Sequence, residues 1–307
     1  LTEHASRGGL LLGLGAYAAW GVLPLYFRLL AAVPALEVLA HRVIWSLVLL
    51  IIVVSAMRRW RAIRAAISAR TFVMLAGSAT LIAINWLIYI WAVNNGHTLA
   101  GSLGYFINPL LNVGLGVVVL GERLRKWQGV AIAIASAGVA AMAFVALDTL
   151  WISLSLAVTF GFYGLVRKIV AIDALGGLLV ETMVLAPLSL GYVLMIGRAG
   201  TGAMGVAPST DVLLVLLGAL TALPLLMFAA AARRLPYSTL ALLQYVAPTL
   251  QFIVAVAVFG EPLRPLHILV FGLIWTGCAI FAWDSVRGAR KARAANGSSG
   301  ARVNART

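Results

Sequence analysis

The chain has 307 residues, 63% of them hydrophobic and 10% charged, with a mean hydropathy of +1.03. A soluble domain carries roughly 25% charged residues, so an ordinary water-soluble globule is excluded and lipid must be part of the solvent. The net charge of +14 sits in short gaps between apolar runs, a pattern that fits positive-inside topology and anionic lipid heads and not a nucleic-acid partner.

Read in chain order, residues 1–8 form a polar tail. The first apolar run, 9–30, carries Tyr17, Trp20 and Pro24 and has no small-residue cleavage site, so it reads as a span and not as a removed leader. The second, 36–57, opens on Glu37, His41 and Arg42, and the gap after it holds five arginines. The third, 72–94, places Asn85 and Tyr89 one turn apart beside Trp86 and Trp91. In the fourth, 98–120, Tyr105, Asn108 and Asn112 share one face around Pro109. The fifth, 127–147, has a row of small residues, Gly129, Ala133, Ala137 and Ala141, spaced for close helix packing.

The sixth run, 150–166, contains Tyr163, and the seventh, 174–196, contains Glu181 and Pro187. The eighth, 211–232, includes Pro224. The ninth, 237–259, carries Gln244, Pro248 and Gln251. The tenth, 265–284, encloses the single cysteine, Cys278, which permits no internal disulfide and no multi-cysteine metal site. Residues 287–307 are polar and basic and are expected to be a disordered tail. With the N-terminus inside, nineteen of the 23 lysines and arginines fall on the cytoplasmic side, the exceptions being Arg28, Arg42, Arg198 and Arg264. That bias predicts both termini in the cytoplasm and an even number of spans.

Displaced by 139 residues, the sequence aligns with itself. Leu103 to Arg125 lies over Leu242 to Arg264, with Pro109 on Pro248 and the polar block Gly121-Glu122, Leu124-Arg125 on Gly260-Glu261, Leu263-Arg264. Apolar coincidences are cheap in such a chain, but a repeated polar block in register is not. Each half holds five spans, so the second half (148–286) is expected to be inverted relative to the first (9–147), an arrangement typical of secondary carriers.

Asn85-Trp86-Leu87-Ile88-Tyr89, Ser102-Leu103-Gly104-Tyr105-Phe106-Ile107-Asn108-Pro109-Leu110 and Gly121-Glu122-Arg123-Leu124, with Ala40-His41-Arg42, resemble the RarD-like branch of the EamA family in the drug/metabolite transporter superfamily. The likeness spans residues 9–286. It implies an all-α membrane protein of ten transmembrane helices in two five-helix inverted repeats, similar in fold to the YddG-type amino acid exporters. It also implies a central cavity lined by helices 1, 3, 4, 6, 8 and 9, and leaves the substrate open.

An amide left unpaired in hydrocarbon is costly, so the polar faces must meet protein or water. The substrate-cavity candidates are Tyr17, Trp20, Asn85, Tyr89, Tyr105, Asn108, Asn112, Tyr163, Gln244 and Gln251. Interhelical hydrogen bonding is the competing role for each of them. Proline frees the carbonyl near i−4, which singles out Tyr105 and Gln244 as carbonyls open to a solute. Ionisable groups at membrane depth mark functional sites, and His41, Arg42 and Glu181 are the gating or proton-relay candidates, weighed against snorkelling and loop anchoring, with Arg28 as a partner for Glu37. No nucleotide, metalloprotease or triad motif is present. The expected function is that of a secondary transporter of small metabolites, above all amino acids, in the inner membrane. No enzymatic activity, cofactor, metal or obligate protein partner is expected, and a small solute and membrane lipids are its partners. A multidrug efflux permease and a membrane-embedded lipid-modifying enzyme are the rivals.

Overall fold

The computed structural model describes residues 3–120, 126–143, 147–232, 234–235 and 243–304. The described residues form helices joined by short turns: α1 (Glu3–Leu29), α2 (Ala35–Ala56), α3 (Trp60–Ala66), α4 (Ala69–Asn94), α5 (Thr98–Leu120), α6 (Lys126–Ala143), α7 (Leu147–Ile169), α8 (Ala174–Arg198), α9 (Pro208–Ala232), α10 (Val246–Ile253, prolonged by a π turn over Val254–Val258) and α11 (Pro265–Asn304). Seven of these, α1, α2, α4, α7, α8, α9 and α11, contain stretches long and apolar enough to cross a membrane. The protein is a multi-pass, all-helical membrane protein.

The turns have identifiable causes. Arg58, with φ of 53°, takes the left-handed conformation that commonly ends a helix, and stops α2. The seven-residue α3 that follows tucks Ile63 inward and leaves Arg61 and Arg64 exposed, as suits a helix lying at an interface. Ser68 caps α4 by accepting from the Thr71 N–H, and Asp173 caps α8 by accepting from the Gly176 N–H.

Helix starts recur at the interval of the sequence repeat. The helices α8, α9 and α11 begin at 174, 208 and 265, each 139 residues after the starts of α2, α4 and α6 at 35, 69 and 126. Packing recurs as well: α1 lies on α9 as α7 lies on α4, and α1 lies on α10 as α7 lies on α5. The pairs α2·α8, α5·α10 and α6·α11, each of repeat-related helices, are in contact between the halves.

Close approach is set by small residues. A Cβ on Gly104 of α5 would stand 2.8 Å from the Ser153 carbonyl oxygen of α7, and one on Gly218 of α9 would stand 2.5 Å from the Trp45 backbone of α2. The α6·α11 pair meets through Ala131, Ala135 and Gly138 against Val270, Ile274 and Gly277. The expected row of Gly129, Ala133, Ala137 and Ala141 is not that seam. Ala133 and Ala137 are exposed, and nothing lies within 4 Å of a Cβ on Gly129. Small size at i, i+4 spacing marks a permissible face, but the neighbour selects which one is used.

Two further expectations change. In the ninth run Leu243 is helical, the chain turns at Gln244 and Tyr245, and α10 starts at Val246, which puts Pro248 in its first turn, where a missing N–H leaves no bond unmade. Gln244 therefore lies in that turn, and Pro248 is not a mid-helix proline. At the C-terminus, α11 continues to Asn304 beyond its apolar part, over the stretch expected to be disordered. The alanines, arginines and lysine of that stretch are strong helix formers, which favours this continuation.

Candidate functional site

Hydrogen bonds between the two sequence halves are concentrated on buried polar side chains. Asn85 on α4 donates to the Leu156 carbonyl at 3.0 Å and to Thr159 Oγ1 at 2.9 Å, both on α7. Its Oδ1 accepts from the Tyr105 hydroxyl of α5 at 3.0 Å. Ser102 donates to the Pro248 carbonyl at 2.8 Å, and Gln251 donates through Nε2 to the Trp20 carbonyl at 3.2 Å. Ser153 of α7 donates to the Ala100 carbonyl at 2.7 Å. All of these bonds except that between Tyr105 and Asn85 join the first half to the second.

The first-half cluster around Arg42 is aromatic. Tyr89 lies edge-on to Phe27 and Tyr105, with centroid separations of 6.1 and 5.2 Å. The Arg42 guanidinium stands 4.0 Å from the Trp86 ring centroid and 5.8 Å from that of Phe27. Its Nε donates to Thr221 Oγ1 at 2.9 Å. Arg42 is only 5% exposed and no carboxylate pairs with it among the described residues. A charge at this depth costs about 2.5–3.5 kcal/mol on the insertion scale, and a desolvated cation–π contact returns roughly 0.5–2 kcal/mol. The offset is incomplete, so this arginine is expensive.

A second aromatic group lies on α1 and α9. Tyr17 and Phe228 stand edge to face at 5.9 Å, and Trp20 is 5.4 Å from Tyr17 and 6.1 Å from Phe228. Asn108 and Gln251 are nearly fully buried, yet Asn108 Oδ1 and Gln251 Oε1 have no hydrogen-bond partner among the described residues. The Tyr89 hydroxyl is in the same condition. Gln244 is half-buried in the turn before α10, and the side chain of Asn112 lies outside the described residues. Between α4 and α7 runs an open groove of about 300 Å³, lined by Ile84, Ile88, Leu154, Ser155, Val158 and Thr159.

The acidic residues do different work. Glu181 on α8 accepts from Ser78 on α4 and from the Tyr163 hydroxyl at 3.4 Å, with Arg167 Nη1 3.9 Å away. The Tyr163 hydroxyl is thus tied to Glu181, while its ring reaches Tyr105 of the Arg42 cluster through Phe160, with centroid separations of 5.8 and 5.9 Å. Glu37 accepts from the Ala203 N–H at 2.7 Å and so anchors the α8–α9 loop. His41 Nε2 is 3.9 Å from Glu37, and neither ring nitrogen has a hydrogen-bond partner among the described residues. Arg28 does not pair with Glu37; it lies over the Phe259 ring at 5.6 Å.

Glu261 makes a contact between the halves that the sequence reading left unassigned. Its carboxylate accepts from the Thr98 N–H at 2.7 Å and the Leu99 N–H at 2.8 Å, capping α5 from the opposite half. A negative group on these free N–H donors is favoured by the helix dipole. Gly260, with φ of 66°, makes the turn that delivers it. The repeated Gly-Glu block was the available signal. Its first copy, 121–125, falls outside the described residues.

Comparison with known proteins accounts for this architecture. The model of the EamA-like transporter family matches residues 7–144. Protein RarD of Escherichia coli is 46% identical over 283 residues, covering 92% of this chain and 96% of its own length. The chain belongs to the EamA-like transporter family. Within that family, an uncharacterized transporter of Pseudomonas aeruginosa is 45% identical over 289 residues, 93% of this chain and 96% of its own. A second protein of that bacterium, named chloramphenicol-sensitive protein RarD, is 37% identical and covers 93% and 97%. A solved crystal structure shares the fold with a TM-score of 0.61 at 20% identity, covering 89% of this chain and 96% of the other. The RarD-like resemblance of the sequence is therefore shown, and relatives named as transporters make this EamA member a membrane transporter.

Proposed function

We propose that this EamA protein is a secondary carrier of small metabolites, amino acids foremost, working by alternating access in the cytoplasmic membrane of a bacterium. In this reading ten spans form two five-helix repeats of opposite orientation, and rocking of one repeat against the other exposes a midplane site to each side in turn. The supporting observation is the placement of the buried polar contacts. Arg42–Thr221, Asn85–Thr159, Ser102–Pro248, Gln251–Trp20 and Glu181–Ser78 all cross from one half to the other. A rocking carrier needs exchangeable bonds between its halves, and these five supply them. The repeated helix starts support near-equivalent halves, whose inward-open and outward-open forms then lie close in free energy. Such a carrier has no enzymatic step.

Proteoliposomes containing only this protein, preloaded with an unlabelled amino acid, should accumulate the same labelled amino acid in counterflow. A panel of labelled amino acids identifies the substrate. Flux no greater than in protein-free vesicles for every member would reject amino acids as its cargo. A drug efflux role is the second reading, favoured by the Tyr17–Trp20–Phe228 group, and by the name of one relative. Chloramphenicol accumulation in the same vesicles tests it.

A further inference from the structure

We infer that Arg42 is the anion-binding centre of the transport site, and that the solute carries a carboxylate beside an aromatic or apolar body. The inference rests on the carrier reading and narrows its substrate class. A guanidinium has five N–H donors in a planar fork. In Arg42 one of them, on Nε, meets Thr221, and neither terminal nitrogen has a hydrogen-bond partner among the described residues. The side chain is 95% buried, as its 5% exposure shows. Nor do bound carboxylates crowd it: Glu181, at the position equivalent to Arg42 across the 139-residue repeat, is already engaged by Ser78 and Tyr163. Glu37 is spent on the Ala203 N–H, and Glu261 on the start of α5.

Two properties of the surroundings specify the ligand. Trp86 stacks against one side of the guanidinium, which holds its plane and leaves the fork edge for a bidentate partner. A carboxylate is the smallest planar group that takes two parallel N–H bonds from such a fork. Phe27, Tyr89 and Tyr105 sit around the same point, and the Tyr89 hydroxyl is buried without a partner among the described residues. That hydroxyl is a donor free for the same anion, while the rings suit an apolar body. Depth fits as well: Arg42 lies seven residues into α2, about 10 Å along the helix from its start.

The test uses the purified full-length protein in lipid nanodiscs, with 3-phenylpropanoate as probe and 3-phenylpropanamide as its uncharged match. The carboxylate should raise the melting temperature saturably, and the amide should need at least tenfold higher concentration for the same rise. Arg42→Gln should weaken carboxylate binding tenfold or more. Arg42→Lys, which keeps the charge and loses the fork, should fall between. The comparison of carboxylate with amide on the wild-type protein keeps the test open if Arg42→Gln fails to fold. Equal stabilisation by amide and carboxylate, none by either, or carboxylate affinity within twofold of wild type in Arg42→Lys with only a lower melting temperature, each overturns the inference. Its failure is separable from that of the carrier reading. Arg42-dependent binding without counterflow removes the carrier and leaves the anion site, and counterflow of cationic amines alone does the reverse.

Discussion

Asn85 and Asn108 are both buried amides on neighbouring helices, yet they have opposite hydrogen-bond states. Asn85 spends its amide on Leu156, Thr159 and Tyr105, whereas the oxygens of Asn108 and Gln251 meet no partner among the described residues. Asn85→Ala therefore removes three bonds and strands a buried carbonyl. With ~0.6 kcal/mol for an average interhelical bond in a membrane, and ~1–3 kcal/mol where a buried group is left unmatched, the melting temperature should fall clearly. Asn108→Ala gives up an oxygen with no partner among the described residues and should melt within a few degrees of wild type, while Gln251→Ala also loses the Nε2 bond to the Trp20 carbonyl and should melt somewhat lower. If those oxygens receive the solute, its apparent affinity falls by roughly a few-fold to 100-fold. Melting and counterflow measured on the same three variants decide this: early melting with normal affinity for Asn108→Ala would assign it to helix packing. The sequence supplied both amides as equal candidates, because spacing says which face a residue shares and nothing about which partner faces it.

At the scale of helices, the face used for packing follows from what lies opposite. Gly104 of α5 touches the α7 backbone, and Gly129 of α6 faces open space. Gly104→Ala must push α7 away or strain α5, an overpacking cost of about 1–3 kcal/mol. Gly129→Ala meets nothing and gains up to about 1 kcal/mol of helix propensity. Thermal unfolding in one detergent should thus move the two variants in opposite directions, and equal shifts would refute the assigned seam. Much of the element layout was legible in advance, because a run of about twenty apolar residues bounded by charge has few alternatives in lipid. The turn at Gln244 and Tyr245 was not, since an apolar run gives no account of where Pro248 permits the first helical turn. The α5 cap by Glu261 was hidden for a different reason. It joins residues 163 apart in sequence, and no local pattern reports a long-range partner.

For the whole molecule, orientation is fixed by charge and not by packing, since the same bundle could in principle sit either way in the bilayer. The arginines of the 58–71 segment, three of them exposed around α3 at Arg58, Arg61 and Arg64, would have to cross the membrane if the N-terminus were outside. The positive-inside bias of short loops opposes that. The α8–α9 connection, by contrast, carries Arg198 and is tied down through Ala203 to Glu37 and through Gly205 to Asp211. We expect this connection to lie outside, and both termini inside. The native Cys278 is buried, so Cys278→Ala gives a background for single cysteines at two exposed positions, Arg64 and Ser209. With an impermeant maleimide added to intact cells, Ser209→Cys should label and Arg64→Cys should not, until the cells are broken open and both react. Labelling of Arg64→Cys alone in intact cells would invert the topology, and would put the start of α2, seven residues before Arg42, on the cytoplasmic side.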